Sequence, residues 1–196
     1  MHLSALLLLA CASETLATPP GERRPLPPAV TQGGKPLMEA LAQRRSTRDF
    51  RDEPIPDQVL SDLLWAAWGV NRPDGHRTAP SAMNSQEIDL YVLREDGAWL
   101  YAAQDHALVL VTPQDLRREA GRQPFVWKAP LNLVYVADHA RMRKLPAEER
   151  ELYAAADAGF IAQNAYLYCA SVGLGAVVRG WIDRDALAGR LGLAED

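Results

Sequence analysis

Hydrophobic positions spaced three and four residues apart predict four helices. The first helix starts at about Pro36 and the second at Asp57. The third spans about residues 147–172, and the fourth starts at Asp183. A cap and a first-turn proline predict a further short helix over 112–121. The second half of the long helix is apolar almost all round, which is typical of a helix buried on every side. In a chain of 196 residues, we expect a partner subunit to provide part of that cover.

Alternating and continuous apolar runs predict strands between these helices. Residues 88–93 alternate, and an Asp96-Gly97 turn joins them to a second strand over 98–103, which is a hairpin pattern. The run 131–137 is apolar at nearly every position and predicts a buried central strand. Residues 175–179 predict another strand. Strands separated by helices, with one clear hairpin, indicate an α+β domain.

The first 35 residues differ from the rest of the chain. Residues 1–17 resemble a secretory leader, since their apolar run is shorter than the roughly 20 residues that span a bilayer. Cleavage could precede a lipidated Cys11 or follow Ala17. Residues 18–35 are rich in Pro and Gly and predict an extended linker without a core, before a folded domain over 36–196. We therefore expect a periplasmic or lipid-anchored protein. A wrongly assigned start in a cytoplasmic protein is the alternative, because no Lys or Arg precedes the apolar run.

Composition excludes several classes of function. The hydrophobic fraction of 48% and the charged fraction of 23% are ordinary for a soluble globular protein. A net charge of −4 provides no general basic field, so nucleic acid is not an expected partner. Cys11 and Cys169 lie in different contexts, and the four histidines form no local pair, so neither a disulfide framework nor a metal site is expected. Cys169 is interpreted as a core residue rather than a nucleophile.

The stretch Arg44-Arg45-Ser46-Thr47-Arg48 concentrates three guanidinium groups and two hydroxyls. Arg44 and Arg48 would share a face if the first helix continued through them. A phosphate dianion would relieve their repulsion, because guanidinium groups bind phosphate oxygens with two hydrogen bonds and Ser46 adds a donor. The alternative is a solvated, basic helix end, which the helix dipole also favours.

A second stretch, Pro80-Ser81-Ala82-Met83-Asn84-Ser85-Gln86, has neither helical nor strand periodicity. It lies between well-patterned elements, which is where a functional loop is expected. Ser81 as a hydrolase nucleophile is a weaker hypothesis, because no Gly-x-Ser-x-Gly turn surrounds it.

The chain resembles the FMN-dependent nitroreductase family in the order of its features. These are the arginine stretch, the 80–86 stretch, a strand, the long buried helix and Val178-Arg179-Gly180. The resemblance covers about residues 36–193. Within that family, the chain is most similar to the branch that contains azoline-oxidising (SagB-type) dehydrogenases of peptide biosynthesis. The resemblance implies a mostly antiparallel sheet flanked by helices, with the long helix in the core of a homodimer.

The resemblance also assigns residues to the cofactor. Arg44, Arg45, Ser46 and Arg48 would hold the phosphate and ribityl chain of FMN. The assignment to the ring includes the stretch Val178-Arg179-Gly180, whose backbone donors would line one side of the isoalloxazine. On the other side of the ring, usually from the partner subunit, would lie Pro80, Ser81, Ala82 and Asn84.

The implied activity is an oxidoreductase that transfers hydride by alternate half-reactions. The donor would be NAD(P)H or another reductant, and the acceptor a nitro, quinone or azoline compound. Tyr101, His106 and Arg179 are candidate substrate contacts, although each is more often structural. The alternative function is a flavin-free relative that binds a ligand or partner at its dimer cleft.

Two features depart from the family pattern. The family has one more strand after the last helix, and its absence before Asp196 predicts an uncovered sheet edge. The leader is the second departure, because an exported member would need an electron donor other than cytoplasmic NAD(P)H.

Overall fold

The computed structural model describes residues 21–51 and 53–193, which fold into one sheet with helices on both faces. The helices are α1 (Leu37–Gln43), α2 (Asp57–Trp68), α3 (Ala147–Val172) and α4 (Arg184–Leu191). The strands are β1 (Arg23–Pro25), β2 (Ile88–Arg94), β3 (Gly97–Ala102), β4 (Ala107–Thr112) and β5 (Asn132–Ala137). Their order is β1-β4-β3-β2-β5, and every neighbouring pair is antiparallel. The predicted α+β class is confirmed.

The sheet carries a hydrophobic layer on each face. Successive side chains of a strand point to opposite faces, so Leu90 and Val92 join α2 and α3, whereas Tyr91 and Leu93 join α4. Cover on both faces explains why β2 is buried at nearly every position. On the α2 side, the fully buried Trp68 donates its indole N–H to the Ile88 carbonyl at 2.8 Å, which satisfies its polar atom in the core.

The long helix α3 forms as predicted and ends where Gly173 adopts φ 80°, a conformation that favours glycine. One side of α3 packs into the core. Burial there raises the pKa of the Cys169 thiol to about 12, so the thiol stays protonated at neutral pH. Elsewhere on the helix, large apolar side chains are exposed in the single chain, among them Leu152 and Phe160 at 70% and 50%. These residues carry the prediction that a partner covers α3.

Three sequence predictions about secondary structure are corrected. The 131–137 run forms β5 at a sheet edge rather than at its centre. It is apolar because both hydrophobic layers reach it. Residues 113–121 form turns instead of a short helix, and they bury Leu116 and Ala120 in the second layer. The 175–179 segment is not a strand, since its only strand-like pairing within the described residues is a single bridge from Ala176 to Ser46.

Part of the predicted linker belongs to the sheet. Strand β1 pairs with β4 and covers what would otherwise be an edge. Leu26, only 9% exposed, enters the core. The interpretation of this segment as a linker without a core is therefore wrong for these residues. The predicted leader over 1–17 and its Cys11 lie outside the described residues. Within the described part of the chain, no helix has the length and apolar character needed to cross a membrane.

Candidate functional site

The arginine stretch is extended rather than helical. Helix α1 ends at Gln43, and Arg44 has φ −56° and ψ 125°. Arg44 and Arg48 therefore do not share a helical face, which corrects the geometry considered from the sequence. The reason is a competing backbone partner. Thr47 donates its N–H to the Ala176 carbonyl at 2.8 Å, and this pairing replaces the helical hydrogen bond.

A cleft of about 690 Å³ separates this stretch from the end of α3. Arg44, Arg45 and Thr47 line one side, and residues 173–176 line the other. The two sides approach closely at Gly175, where a Cβ atom would lie 2.9 Å from Cγ2 of Thr47. Only a residue without a side chain fits there without movement of its neighbour, so glycine fixes the spacing of the two sides.

The arginines at this cleft carry positive charge without an acidic partner. Among residues 21–51 and 53–193, no salt bridge involves Arg44, Arg45 or Arg48. Arg44 is half-buried with its guanidinium 5.3 Å from the ring centre of Tyr166, and the other two side chains are exposed. Two of them, Arg44 and Arg45, line the cleft. Guanidinium groups at a cleft without acids favour an anionic ligand, above all a phosphate.

Tyr166 connects the two segments that the sequence assigned to the cofactor. Its hydroxyl lies 3.0 Å from Oγ of Ser46 and accepts a hydrogen bond from the Val178 N–H at 2.7 Å. The arginine stretch and the 178–180 segment are thus fixed to one side chain. Sequence reasoning missed Tyr166 because it sits in the apolar half of α3. Its phenol hydroxyl, which requires a partner when buried, was the available signal.

Arg179 turns its side chain away from the cleft. Its guanidinium donates to the Ala120 carbonyl and to Oδ1 of Asn132, which is buried. Burial lowers the pKa of Arg179 from its ordinary value. A Cβ atom at Gly121 would strike this guanidinium at 2.6 Å, so the contact is tight. The side chain predicted as a substrate contact is instead an anchor, and the 178–180 segment offers its backbone.

The 80–86 segment is a loop with unusual backbone geometry. It contains a 3-10 turn over Ala82–Asn84, and Met83, Asn84 and Gln86 have φ values of 55°, 52° and 49°. Such left-handed residues other than glycine are costly and cluster at functional sites. The loop is held internally because Oγ of Ser81 accepts the Gln86 N–H at 2.9 Å. Ser81 therefore acts as a structural acceptor here.

A single chain keeps this loop apart from the arginine cleft. The loop is fixed to α3 by Asp157, which accepts the Ala82 N–H at 2.7 Å, whereas the cleft lies at Tyr166. Nine residues of helix separate these two anchors, or about 13 Å at 1.5 Å per residue. The predicted cofactor residues thus form two groups on one chain, one held at Asp157 of α3 and the other at Tyr166 of the same helix.

Tyr101 and His106 lie in the core rather than at the cleft. The Tyr101 hydroxyl is 2.9 Å from Nδ1 of His106, and Nε2 of His106 lies 2.7 Å from Oγ of Ser61 and 3.1 Å from the Pro27 carbonyl. Burial is the main cause that lowers the pKa of His106, and the Pro27 carbonyl opposes it. These two substrate-contact candidates instead fasten the N-terminal segment to α2. Among the described residues, no group of three or more His, Cys, Asp or Glu could hold a metal ion.

Sequence comparison decides the family. The sequence model of the Nitroreductase family matches residues 41–196. This chain belongs to the nitroreductase family. A Methanocaldococcus jannaschii protein described as a candidate nitroreductase is 32% identical over an alignment of 154 residues, and the match covers 74% of this chain and 78% of that protein. The FMN reductase [NAD(P)H] of Bacillus subtilis is 26% identical, and the match covers 74% of this chain but only 53% of that enzyme.

Solved structures of the nitroreductase family share this fold. A candidate nitroreductase from Ralstonia eutropha JMP134 superposes with a TM-score of 0.85 at 49% identity, covering 90% of this chain and 87% of that one. One from Desulfovibrio desulfuricans in complex with FMN gives 0.58 at 24% identity, over 82% and 78%. The E. coli microcin synthetase McbBCD complex gives 0.65 at 17% identity, over 99% and 79%. The last two likenesses are of fold, and the predicted family is confirmed.

Proposed function

We propose that this protein is an FMN-dependent oxidoreductase that works as a homodimer. It transfers reducing equivalents between a donor and a small organic acceptor by alternate half-reactions. The observation that carries the proposal is the cleft beside Tyr166, where arginines that no acid of the described chain pairs with meet the end of α3. The names of the Bacillus subtilis relative and of the Desulfovibrio desulfuricans complex support FMN as the ligand.

The residues at the cleft fit the phosphate end of FMN. Arg44 and Arg45 line the cleft and supply charged donors. Ser46, whose Oγ lies 3.0 Å from the Tyr166 hydroxyl, and Arg48 belong to the same stretch and would add a neutral and a charged donor. Three or four charge-assisted hydrogen bonds, at about 1.5–3 kcal/mol each, give a gross of roughly 5–10 kcal/mol. Immobilising a ligand costs about 4 kcal/mol or more, which ring contacts must help to offset. An affinity near micromolar, about −8 kcal/mol, is within reach of this site.

A second subunit completes the site in this proposal. Within one chain, the 80–86 loop and the arginine cleft meet α3 about 13 Å apart along its axis, and the proposal assigns the loop contact with the ring to the partner. The exposed apolar side chains of α3, such as Phe160, provide a surface for the partner. The partner's loop, with Pro80, Ser81, Ala82 and Asn84, then approaches the ring opposite the 178–180 segment.

The chain's own residues have positioning roles in the reaction. FMN supplies the hydride-transfer chemistry when bound, so no side-chain acid or base is required. Tyr166 orients both the arginine stretch and the backbone of Val178–Gly180 through its hydroxyl. The side chain of Arg179 holds the latter segment against Asn132. Closing the site between two subunits excludes water from the reacting centre.

Substrates and location are finer parts of this proposal. NAD(P)H is the proposed donor for a cytoplasmic protein, and another reductant for an exported one. Nitro, quinone and azoline compounds are the proposed acceptors. Export in a periplasmic or lipid-anchored form is proposed from the leader, and fractionation of cells that express the full chain tests it.

Purification of the full-length chain tests the central proposal. We expect a yellow protein that releases about one FMN per chain on denaturation and has the mass of a dimer by light scattering. It should oxidise NAD(P)H, or another reductant, only in the presence of an acceptor. A colourless protein that ignores added FMN would instead support the flavin-free binding function.

A further inference from the structure

Two buried carboxyl groups lie beneath the 80–86 loop and have no part in the proposed cofactor contacts. Glu87 follows the loop directly and is 0% exposed, and Asp157 on α3 is 3% exposed. Asp157 accepts the Ala82 N–H through Oδ2 at 2.7 Å, so it holds the loop. Neither carboxyl oxygen of Glu87 makes a hydrogen bond of normal geometry among the described residues, although its own backbone N–H lies close enough to favour the ionised form.

The charged groups around Glu87 come from two elements. Asp157 faces it from α3, and Arg141 acts on it from the 3-10 turn His139–Met142. Arg141 is already engaged, because its guanidinium donates to Oδ2 of Asp89 at 2.5 Å, to Oδ2 of Asp138 at 2.8 Å and to the Gln86 carbonyl at 2.9 Å. The two aspartates therefore neutralise Arg141, the cation among the described residues that acts on Glu87.

A buried carboxylate without a donor is costly, and a second carboxylate beside it adds repulsion. One proton held between Glu87 and Asp157 removes both costs, because the protonated acid then donates to the other carboxylate. The electrostatic surroundings of Glu87 agree with this arrangement. Burial is the largest cause of a raised pKa at Glu87, and Asp157 raises it further. Although the residue's own backbone N–H and Arg141 oppose them, these effects raise the pKa of Glu87 to about 7.

The loop above this pair depends on external support. Three of its residues are left-handed without being glycine, and each such residue stores backbone strain. Gln86 is held on one side by its side chain, which accepts from Nε of Arg77 at 2.8 Å and donates to the Gly75 carbonyl at 3.1 Å. Asp157 supplies the hold on the other side, at Ala82. Repulsion between Asp157 and an ionised Glu87 would weaken that second hold.

We propose that Glu87 is a positioning residue whose carboxyl proton, shared with Asp157, keeps Asp157 on the Ala82 N–H and the 80–86 loop in its strained conformation. As pH rises, the proton leaves to solvent, two carboxylates face each other, and the loop opens more often. The consequence for cofactor and substrate rests on the proposed function, because that function places this loop against the flavin ring.

Hydrogen exchange of the 80–87 region tests the proposal in protein without added FMN. We compare protection factors, corrected for intrinsic exchange, at about pH 6 and about pH 8.5 in the wild type and in Glu87→Gln. A group with a pKa of about 4.5 in the open state and about 7 in the closed state makes opening about tenfold more frequent at the higher pH. The protection factors of the wild type should therefore fall about tenfold between the two pH values. Glu87→Gln should not, because its amide donates to Asp157 at every pH.

Two further variants sharpen the result. Asp157→Asn should lessen the pH dependence, because its oxygen can accept the Ala82 N–H while its amide donates to an ionised Glu87, whereas the burial of Glu87 keeps part of it. Glu95→Gln, at an exposed position on the β2–β3 turn, should behave as the wild type. Protection that does not depend on pH in the wild type, or a dependence that persists in Glu87→Gln, overturns the proposal.

A measurement on the wild type remains if the variants fail to fold. In protein labelled with carboxyl-13C glutamate, one side-chain resonance should titrate near neutral pH, well above the others. Normal titration of every glutamate overturns the shared proton. These outcomes are separate from those of the proposed function. A protein that never binds FMN can still pass this test, and an FMN-binding protein can fail it.

Discussion

Two polar clusters of this protein contrast in how completely they are satisfied. The partly buried cluster of Tyr101, His106 and Ser61 places each of its side-chain polar atoms within hydrogen-bond distance of a partner. The cluster at Arg44 and Arg45 lines a cleft, with Arg44 half-buried and Arg45 exposed, and no described acid pairs with either guanidinium. Both clusters contain residues that sequence reasoning placed at the site. The comparison teaches that groups already satisfied within the chain serve the fold, while groups left unsatisfied are available to a ligand.

The double variant Arg44→Ala/Arg45→Ala tests this comparison most strongly. Losing two charge-assisted hydrogen bonds of about 1.5–3 kcal/mol each should weaken FMN binding by about 10²–10⁴-fold in a fluorescence titration. The fold should persist because surface substitutions change stability little. Arg190→Ala on α4 removes one charge that does not line the cleft and contacts Gln114 instead, and it should leave FMN affinity unchanged. Undiminished affinity in the double variant would refute the phosphate assignment.

Tyr166→Phe should have the next largest effect. It removes the hydroxyl that accepts the Val178 N–H and contacts Ser46, and so releases two segments of the proposed site. We expect FMN to bind about tenfold more weakly, which corresponds to about 1.4 kcal/mol, roughly one hydrogen bond. The same titration measures it, and urea unfolding reports any loss of stability. A variant with wild-type affinity would show that Tyr166 serves only the fold.

Tyr101→Phe should show the opposite pattern. It removes the hydroxyl beside Nδ1 of His106 in the core. The free energy of unfolding should fall by about 1 kcal/mol, while FMN affinity stays at the wild-type value. Weaker FMN binding without loss of stability would show that Tyr101 belongs to the cofactor site, and the contrast between the two clusters would then be wrong.

His106 provides the smallest test, through pH. Its pKa lies below the ordinary value of 6.5 in the folded protein because the ring is buried. As pH falls, His106 of the unfolded chain takes up a proton before His106 of the folded protein does. The contribution of His106 to stability is therefore complete above about pH 6.5 and is lost as pH falls through the lowered pKa. His106→Asn should lessen the fall of the urea midpoint between about pH 7.5 and about pH 5.5. Asparagine also tolerates the φ of 45° at this position. His139→Asn is the control, and an unchanged fall in His106→Asn contradicts the assignment.

The sequence determined the local elements of this protein. Hydrophobic spacing predicted α2 and α3, the Asp96-Gly97 turn predicted the β2–β3 hairpin, and Asp183 and Gly192 marked the ends of α4. These features depend on neighbours in the chain, since caps, turns and periodicity act over a few residues. The order of its motifs also identified the nitroreductase family, which the family match confirmed.

Only the tertiary structure decided which groups meet. Strand β1 became part of the sheet because β4 offered an unpaired edge, although its own sequence reads as a linker. The arginine stretch left the helix because Ala176, far along the chain, accepted its backbone. Tyr166 and the pair of Glu87 and Asp157 have no local signature. Their roles arise from burial and from partners brought by α3, and pairing between distant segments leaves no periodicity in the sequence.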